Sequence, residues 1–126
     1  MSRLFLTAGS LLGGLAVAAG AFGAHGLRAF LEAHGQAGNW ETAARYALVH
    51  ALATIAVGTL AALRPAPGLA AAGWCFLVGT LLFSGCLGAL ALSGVRVLGA
   101  IVPIGGVLLL SGWIALAIAA VRGGGR

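Results

Sequence analysis

The sequence predicts an all-α integral membrane protein with four transmembrane helices arranged as two helical hairpins, and with a short interfacial amphipathic helix between the first and the second. Of its 126 residues, 61% are hydrophobic and 7% are charged, whereas about 25% of a typical globular chain is charged. Four apolar stretches each reach the roughly 20 residues of helix that span a bilayer. A soluble fold of this length has too little interior to bury so much apolar surface, so we expect a single membrane domain over residues 1–126.

The apolar stretches give four expected membrane helices, at residues 4–24, 43–63, 69–92 and 97–121. The first stretch resembles a secretory signal, but its apolar run of about 20 residues exceeds a signal core, so we expect a retained helix. Two short connections, "RPAPG" at 64–68 and "SGVR" at 93–96, contain turn residues and predict tight turns. The final residues, "RGGGR" at 122–126, predict a disordered tail.

The one long connection, residues 25–42, contains both acidic residues of the chain. Leu27, Phe30 and Leu31 recur at helical spacing, and Arg28 and Glu32 lie on the opposite side of the same helix. This pattern predicts a short amphipathic helix lying in the membrane interface.

The end of that connection predicts the start of the second span. Asn39 is a favourable N-cap residue, and Glu41 in the first turn suits the positive end of the helix dipole. Trp40 lies between them and is expected to anchor the helix at the lipid headgroups.

All seven basic residues are arginines, and each lies at or near the end of an apolar stretch. Nucleic-acid-binding proteins concentrate basic residues on one face, so we expect no nucleic-acid partner. With four spans, the side of the membrane that carries both termini also carries Arg3, Arg64, Arg122 and Arg126. The other side carries Arg28, Arg45 and Arg96. The excess of arginine favours cytoplasmic termini.

The second span contains a polar stripe in which every fourth residue is polar or small: Thr42, Tyr46, His50, Thr54 and Gly58. An ionisable residue this far inside a span usually faces the interior of the helix bundle. His50 therefore has two interpretations. It is a proton relay or ligand contact, or it is a neutral histidine whose hydrogen bonds fix helix packing.

Together with the charged residues of the long connection, this stripe gives a candidate functional polar cluster. Its members are His25, Arg28, Glu32, Glu41, Arg45, Tyr46, His50 and Thr54. Glu41 and Arg45 are four residues apart in the order that favours an ion pair on a helix, and Arg28 and Glu32 have the same spacing. For Arg28, a contact with lipid phosphate is the alternative to this pair.

The sequence contains no motif for a metal, a cofactor or a catalytic group. The spacing of His25 and His34 matches no common zinc motif. Cys75 and Cys86 lie in one apolar stretch, roughly 16 Å apart on a helix, which is too far for a disulfide bond. We therefore expect no metal site, no cofactor and no catalytic residues.

Small residues and one proline indicate how the helices pack. Gly9 and Gly13 form a GxxxG motif, and Ala16, Gly20 and Ala24 follow at the same spacing of four. Such residues allow close helix contacts, either within the chain or between two copies of it. Pro103, in "VPIGG" at 102–106, interrupts the fourth span, and this predicts a kink or a break that lines a cavity.

Four motifs in order, "GAFGAHGL", "NWETAARYALVHALA", "GTLLFSGCL" and "AIVPIGGVLLLSGW", resemble the small integral membrane family called domain of unknown function 423. The resemblance extends over almost the whole chain. It implies a four-helix protein of the bacterial inner (plasma) membrane, without a settled activity. The positions it marks are Gly20, Gly23, His25, Gly26, Trp40, Tyr46, His50, Ser84, Gly85, Pro103, Gly105 and Gly106.

The chain departs from the family pattern in two places. Cys86 and Gly88 stand where members often have serine and tyrosine, and Val102 stands where they often have threonine. Both departures remove hydroxyl groups. The marked glycines imply a closely packed turn at "GAFGAHGLR", residues 20–28, from which His25 would reach the face that carries His50 and Tyr46.

Three functions remain open from the sequence. The first is a non-enzymatic structural or accessory protein in the lipid bilayer, with a homo-oligomer or a membrane-protein partner. The second is a small transporter or channel, in which proton coupling would depend on His50 because the spans contain no acidic residue. The third is an enzyme that acts on lipid headgroups through His25, Arg28, Glu32 and His50. Shared proton transfer would require His25 and His50 to lie within about 8 Å.

Overall fold

The computed structural model describes residues 1–123, which form five helices and no strand. The helices are α1 (Ser2–Ala24), α2 (Arg28–Ala33), α3 (Ala37–Leu63), α4 (Leu69–Ser93) and α5 (Leu98–Gly123). All but α2 are long and apolar enough to cross a membrane. The prediction of an all-α protein with four membrane-spanning helices is confirmed. The membrane position of α2 and the grouping into two hairpins stay predictions.

The start of α3 differs from the expected start of the second span. The helix begins at Ala37, and Gln36 is its N-cap residue. Asn39 lies inside the first turn, where its Nδ2 donates to Gln36 Oε1 at 2.9 Å. The predictions of Asn39 as N-cap and of Glu41 in the first turn are therefore wrong. Hydropathy locates the part of a helix that lies in lipid, and α3 continues beyond that part.

The other end of the chain also extends further as helix than expected. Residues 122 and 123, assigned to a disordered tail from the sequence, are the last residues of α5. The remainder of that predicted tail, residues 124–126, lies outside the described residues.

The turns around α4 use glycine in the left-handed backbone region. Gly68, with φ 95°, precedes α4, and Gly94, with φ 71°, ends it. Residues with a Cβ atom are strained in this region, which explains why each tight connection contains a glycine.

Close backbone contact holds α1 against α3. A Cβ atom on Gly9 would lie 3.0 Å from the Ala51 carbonyl oxygen, and one on Gly58 would lie 3.1 Å from the Ser2 carbonyl oxygen. The two helices therefore run antiparallel, with the start of α1 beside the end of α3. Because lipid gives no hydrophobic drive between helices, such close packing supplies the association energy.

The core lies where all four long helices meet. Phe5 of α1, Val57 of α3 and Phe76 of α4 are fully buried, and Leu109 of α5 is 3% exposed. The ring of Phe5 occupies the space that a side chain at Gly73 would need. The first helix is thus fixed to the rest of the bundle near its N-terminus.

Near its middle, α4 contains a π-helical turn at Leu81–Gly85. Gly105 of α5 packs against this turn so closely that a Cβ atom there would overlap the Phe83 backbone nitrogen. π-Helical turns are rare and often occur at functional sites. Here the turn faces the same part of α5 as the polar stripe of α3.

Candidate functional site

The polar stripe of α3 meets α5 at His50, which is 4% exposed. His50 Nδ1 lies 2.7 Å from the Tyr46 carbonyl oxygen, one helical turn earlier. On the other side of the ring, Trp113 Nε1 of α5 donates to His50 Nε2 at 3.1 Å. A hydrogen bond between side chains thus links two membrane-spanning helices.

These two contacts define the tautomer of His50. A carbonyl oxygen only accepts hydrogen bonds, so Nδ1 must carry the proton that it shares with Tyr46. An indole N–H only donates, so Nε2 must present its lone pair to Trp113. Both contacts are satisfied by the neutral ring protonated at Nδ1. In an imidazolium, the N–H at Nε2 would point at the N–H of Trp113, and two donors would face each other.

Aromatic rings surround this hydrogen-bonded pair. The Phe76 ring lies 5.1 Å from Trp113 and 5.7 Å from His50, centroid to centroid. The Tyr46 ring stacks on Phe83 of the π-helical turn at 4.6 Å. We call Tyr46, His50, Phe76, Phe83 and Trp113 the His50 network. An open cleft of about 430 Å³ borders it, with Pro103 on the α5 side.

The threonines near the network are satisfied within their own helices. Thr54 Oγ1 donates to the His50 carbonyl oxygen at 2.7 Å, and Thr80 Oγ1 donates to the Phe76 carbonyl oxygen at 2.6 Å. Ser84, in the π-helical turn, differs, because its buried Oγ has no hydrogen-bond partner within residues 1–123. The hydroxyl donors of Thr54 and Thr80 are therefore already engaged.

The charged residues of the candidate cluster line a separate groove. It has a volume of about 560 Å³ and lies between the end of α1, α2 and the start of α3. Arg28 pairs with Glu32 on α2 at 2.9 Å, and Arg45 pairs with Glu41 on α3. All four side chains are exposed and line the groove. We call this feature the charged groove.

Trp40 forms part of the groove wall and connects α3 to α1. Its Nε1 donates to the Ala19 carbonyl oxygen at 2.7 Å. A Cβ atom on Gly23 would overlap the indole ring, so glycine at this position allows the contact. At Gly20, one turn earlier, nothing lies within 4 Å of a Cβ position.

The structure therefore divides the candidate cluster. His50 and Thr54 are buried in the bundle interior and Tyr46 lies exposed beside them, while the four charged residues line the charged groove. His25 is exposed at the C-terminal end of α1, beyond the contact of Gly23 with Trp40. His50 lies ten residues further along α3 than Trp40, about 15 Å along the axis. The structure thus does not bring His25 to the His50 face.

The other expected packing residues have different surroundings. Gly13 lies in ordinary contact with Ala51, and a Cβ atom on Gly106 would lie 3.7 Å from the Phe83 ring. Gly85 has open space around it, although it belongs to the π-helical turn. Pro103 lies within α5, and the helix continues through it.

Sequence reasoning missed the partners of His50. Trp113 lies 63 residues away along the chain and resembles an ordinary interface anchor, while Phe76 and Phe83 resemble lipid-facing residues. One signal was available in the sequence. A tryptophan inside a membrane span needs an acceptor for its indole N–H, and a histidine in another span can supply one.

The described part of the chain contains no group of three or more His, Cys, Asp or Glu side chains that could hold a metal ion. Cys75 and Cys86 are both half-buried free thiols. A functional interpretation therefore rests on the His50 network and the charged groove.

Four apolar helices of membrane-spanning length, two of them linked through a buried histidine, define a small polytopic membrane protein. The chain belongs to the family described as "Protein of unknown function (DUF423)", whose profile matches residues 19–106. The match begins at the Trp40 contact of α1 and ends in α5 at Gly106, so it covers the charged groove except Ala16 and Val17, and the His50 network except Trp113.

Curated relatives agree with this membership. A UPF0382 membrane protein of Staphylococcus aureus (strain bovine RF122 / ET3-1) is 41% identical over 95% of this chain and 97% of its own length. A UPF0382 membrane protein of Staphylococcus haemolyticus is 39% identical over the same shares. No solved structure matches the chain.

Proposed function

We propose that this protein is a non-enzymatic structural or accessory protein of the bacterial inner (plasma) membrane, with both termini in the cytoplasm. The observation that carries the proposal is that both ring nitrogens of His50 are engaged in holding α3 and α5 together. A membrane histidine that is committed to packing has a structural role.

A proton relay requires a ring nitrogen that can exchange its proton with a mobile donor or acceptor. The partners of His50 are a backbone carbonyl oxygen and an indole N–H, neither of which takes up or releases a proton at physiological pH. The separation of His25 from His50 likewise disfavours an enzyme that shares a proton between them, which was the third function considered from the sequence.

One observation favours a small transporter as the second candidate. The cleft beside the His50 network is lined by Tyr46, His50 and Pro103, and a proline within an apolar membrane helix is one of the features that mark binding sites in transporters. In this alternative His50 would release Trp113 during transport.

Proton flux distinguishes the two candidates. The protein is reconstituted into liposomes that contain a pH-sensitive dye, and a pH gradient is imposed across the membrane. We expect the gradient to decay no faster than in protein-free liposomes. A decay that is accelerated by the protein and abolished by His50→Ala would refute the structural role and support transport.

The orientation rests on the excess of arginine in the sequence: four arginines belong to the side of the termini and three to the other side. A C-terminal fusion to a reporter that is active only in the cytoplasm tests it. We expect an active reporter, and activity of a periplasmic or extracellular reporter at the same position would contradict the orientation.

A further inference from the structure

The charged groove has no role in the function proposed above. Its rim and its floor differ in chemistry. The rim carries two guanidinium groups and two carboxylates, and the floor is formed by small and apolar residues of α1 and α3, among them Ala16, Val17 and Leu48. A ligand that fits this groove has a charged end and an apolar body.

The charges of the rim are balanced. Arg28 and Arg45 contribute two positive charges, and Glu32 and Glu41 contribute two negative charges, on two different helices. Each pair is exposed and lies within one helix, and such pairs contribute little to stability. The four side chains can therefore exchange their present partners for those of a ligand. A ligand with one positive and one negative group matches this rim better than a ligand of a single sign.

The floor of the groove is open at Gly20. Gly20 faces the groove, and nothing lies within 4 Å of the position that its Cβ atom would occupy. The helix contacts of α1 with α3 use other residues, such as Gly9 and Gly23. The space over Gly20 thus runs from the charged rim along the apolar surface of the helix. An acyl chain attached to a headgroup at the rim would follow the same path.

We propose that the charged groove is a binding site for a phospholipid with a primary-amine headgroup. Arg28 and Arg45 donate to the phosphate, for which guanidinium groups are the preferred partners. The ammonium group donates to Glu32 and Glu41, and an acyl chain lies over Gly20. An anionic headgroup without an amine would face both carboxylates without a compensating charge. A quaternary amine has no N–H to donate.

Lipid binding by native mass spectrometry tests this site. The delipidated protein in mild detergent is titrated with phosphatidylethanolamine, phosphatidylglycerol or phosphatidylcholine that carry identical acyl chains. We expect phosphatidylethanolamine to bind at least about tenfold more tightly than the other two, the difference that one lost charge-assisted hydrogen bond produces. Equal binding of all three lipids would overturn the proposal.

The variant Gly20→Leu tests the position of the lipid, because its side chain would fill the groove floor. The matched control is Gly14→Leu, since Gly14 lies on the same helix, also has open space around it and is outside the groove. We expect phosphatidylethanolamine binding to weaken at least about tenfold in Gly20→Leu and to stay unchanged in Gly14→Leu. Equal effects of the two variants would contradict the assignment.

A second variant tests the charges of the rim and leaves the floor of the groove unchanged. Glu32→Gln with Glu41→Gln leaves only positive charge at the rim, so the preference should change from phosphatidylethanolamine to phosphatidylglycerol. Both side chains are exposed, so the melting temperature should be unaffected. Val95→Lys with Val97→Lys, exposed and outside the groove on the same side of the bundle, raises the net charge by the same amount and should leave the preference unchanged. An unaltered preference in the double variant would overturn the role of the carboxylates.

Discussion

At the scale of single residues, His50 shows how a polar group is accommodated inside a membrane-spanning helix. A buried polar atom costs free energy unless it is hydrogen-bonded. His50 meets this requirement with one backbone partner and one side-chain partner, so its ring is satisfied without water or a second ionisable group.

This geometry predicts a single tautomer. In protein labelled with ¹⁵N-histidine and reconstituted into lipid, solid-state NMR should show His50 with a protonated Nδ1 and an unprotonated Nε2 at neutral pH. The His50 signal is assigned by its loss in a His50→Asn sample. The signals of His25 and His34, which are exposed, remain in that sample. The opposite tautomer at His50 would contradict the hydrogen bond from Trp113.

The sequence allowed only half of this arrangement to be predicted. The fourfold spacing of Tyr46, His50 and Thr54 placed them on one helix face, because periodicity reports which residues share a face. It does not report which residue of another helix lies opposite. The partner Trp113 and the separation of His25 from His50 both depend on the register between helices, which no local pattern encodes.

At the scale of helices, α4 and α5 pack through glycines on both sides. Gly79 and Gly105 face one another, and a Cβ atom on Gly105 would lie 2.8 Å from the Gly79 carbonyl oxygen. The contact coincides with the π-helical turn of α4, which was absent from the sequence-based prediction. A π-helical turn has no regular hydrophobic period, whereas the four spans were predictable because their apolar length is itself the signal.

This packing predicts different outcomes for two adjacent substitutions. Gly105→Ala should lower the free energy of unfolding by about 1–3 kcal/mol, the usual cost of overpacking, because its Cβ atom meets backbone that cannot move aside. Gly106→Ala is the control, since its Cβ atom would make ordinary contact with the Phe83 ring at 3.7 Å. Thermal unfolding in mild detergent measures both. Equal melting temperatures for the two variants would show that the close approach is not required.

The bounds of the helices illustrate what hydropathy can predict. It gave the end of α1 at residue 24 and the start of α4 at residue 69, where apolar sequence gives way to turn residues. It missed the part of α3 before residue 43, because this part contains polar residues such as Asn39 and Glu41 although it is helical. A helix that extends out of the bilayer is invisible to a measure of apolar length.

At the scale of the whole molecule, two chemically distinct regions share the helix α3. Its first turns form a wall of the charged groove, and a middle turn carries His50 into the bundle. A bound lipid would therefore contact α3, the helix that His50 holds to α5. The charged groove and the His50 network nevertheless share no side chain. Substitutions in the groove should change lipid binding without changing the stability that the His50 network supplies.

The central claim is that His50 joins α3 to α5 through Trp113, and a double-mutant cycle tests it most directly. The free energy of unfolding in mild detergent is measured for the wild-type chain, His50→Ala, Trp113→Phe and the double variant. We expect a coupling energy of about 0.6–1.7 kcal/mol, the range found for hydrogen bonds between membrane helices. Additive effects, within about 0.3 kcal/mol, would mean that the two side chains do not hold the helices together, and would contradict the structural role of His50.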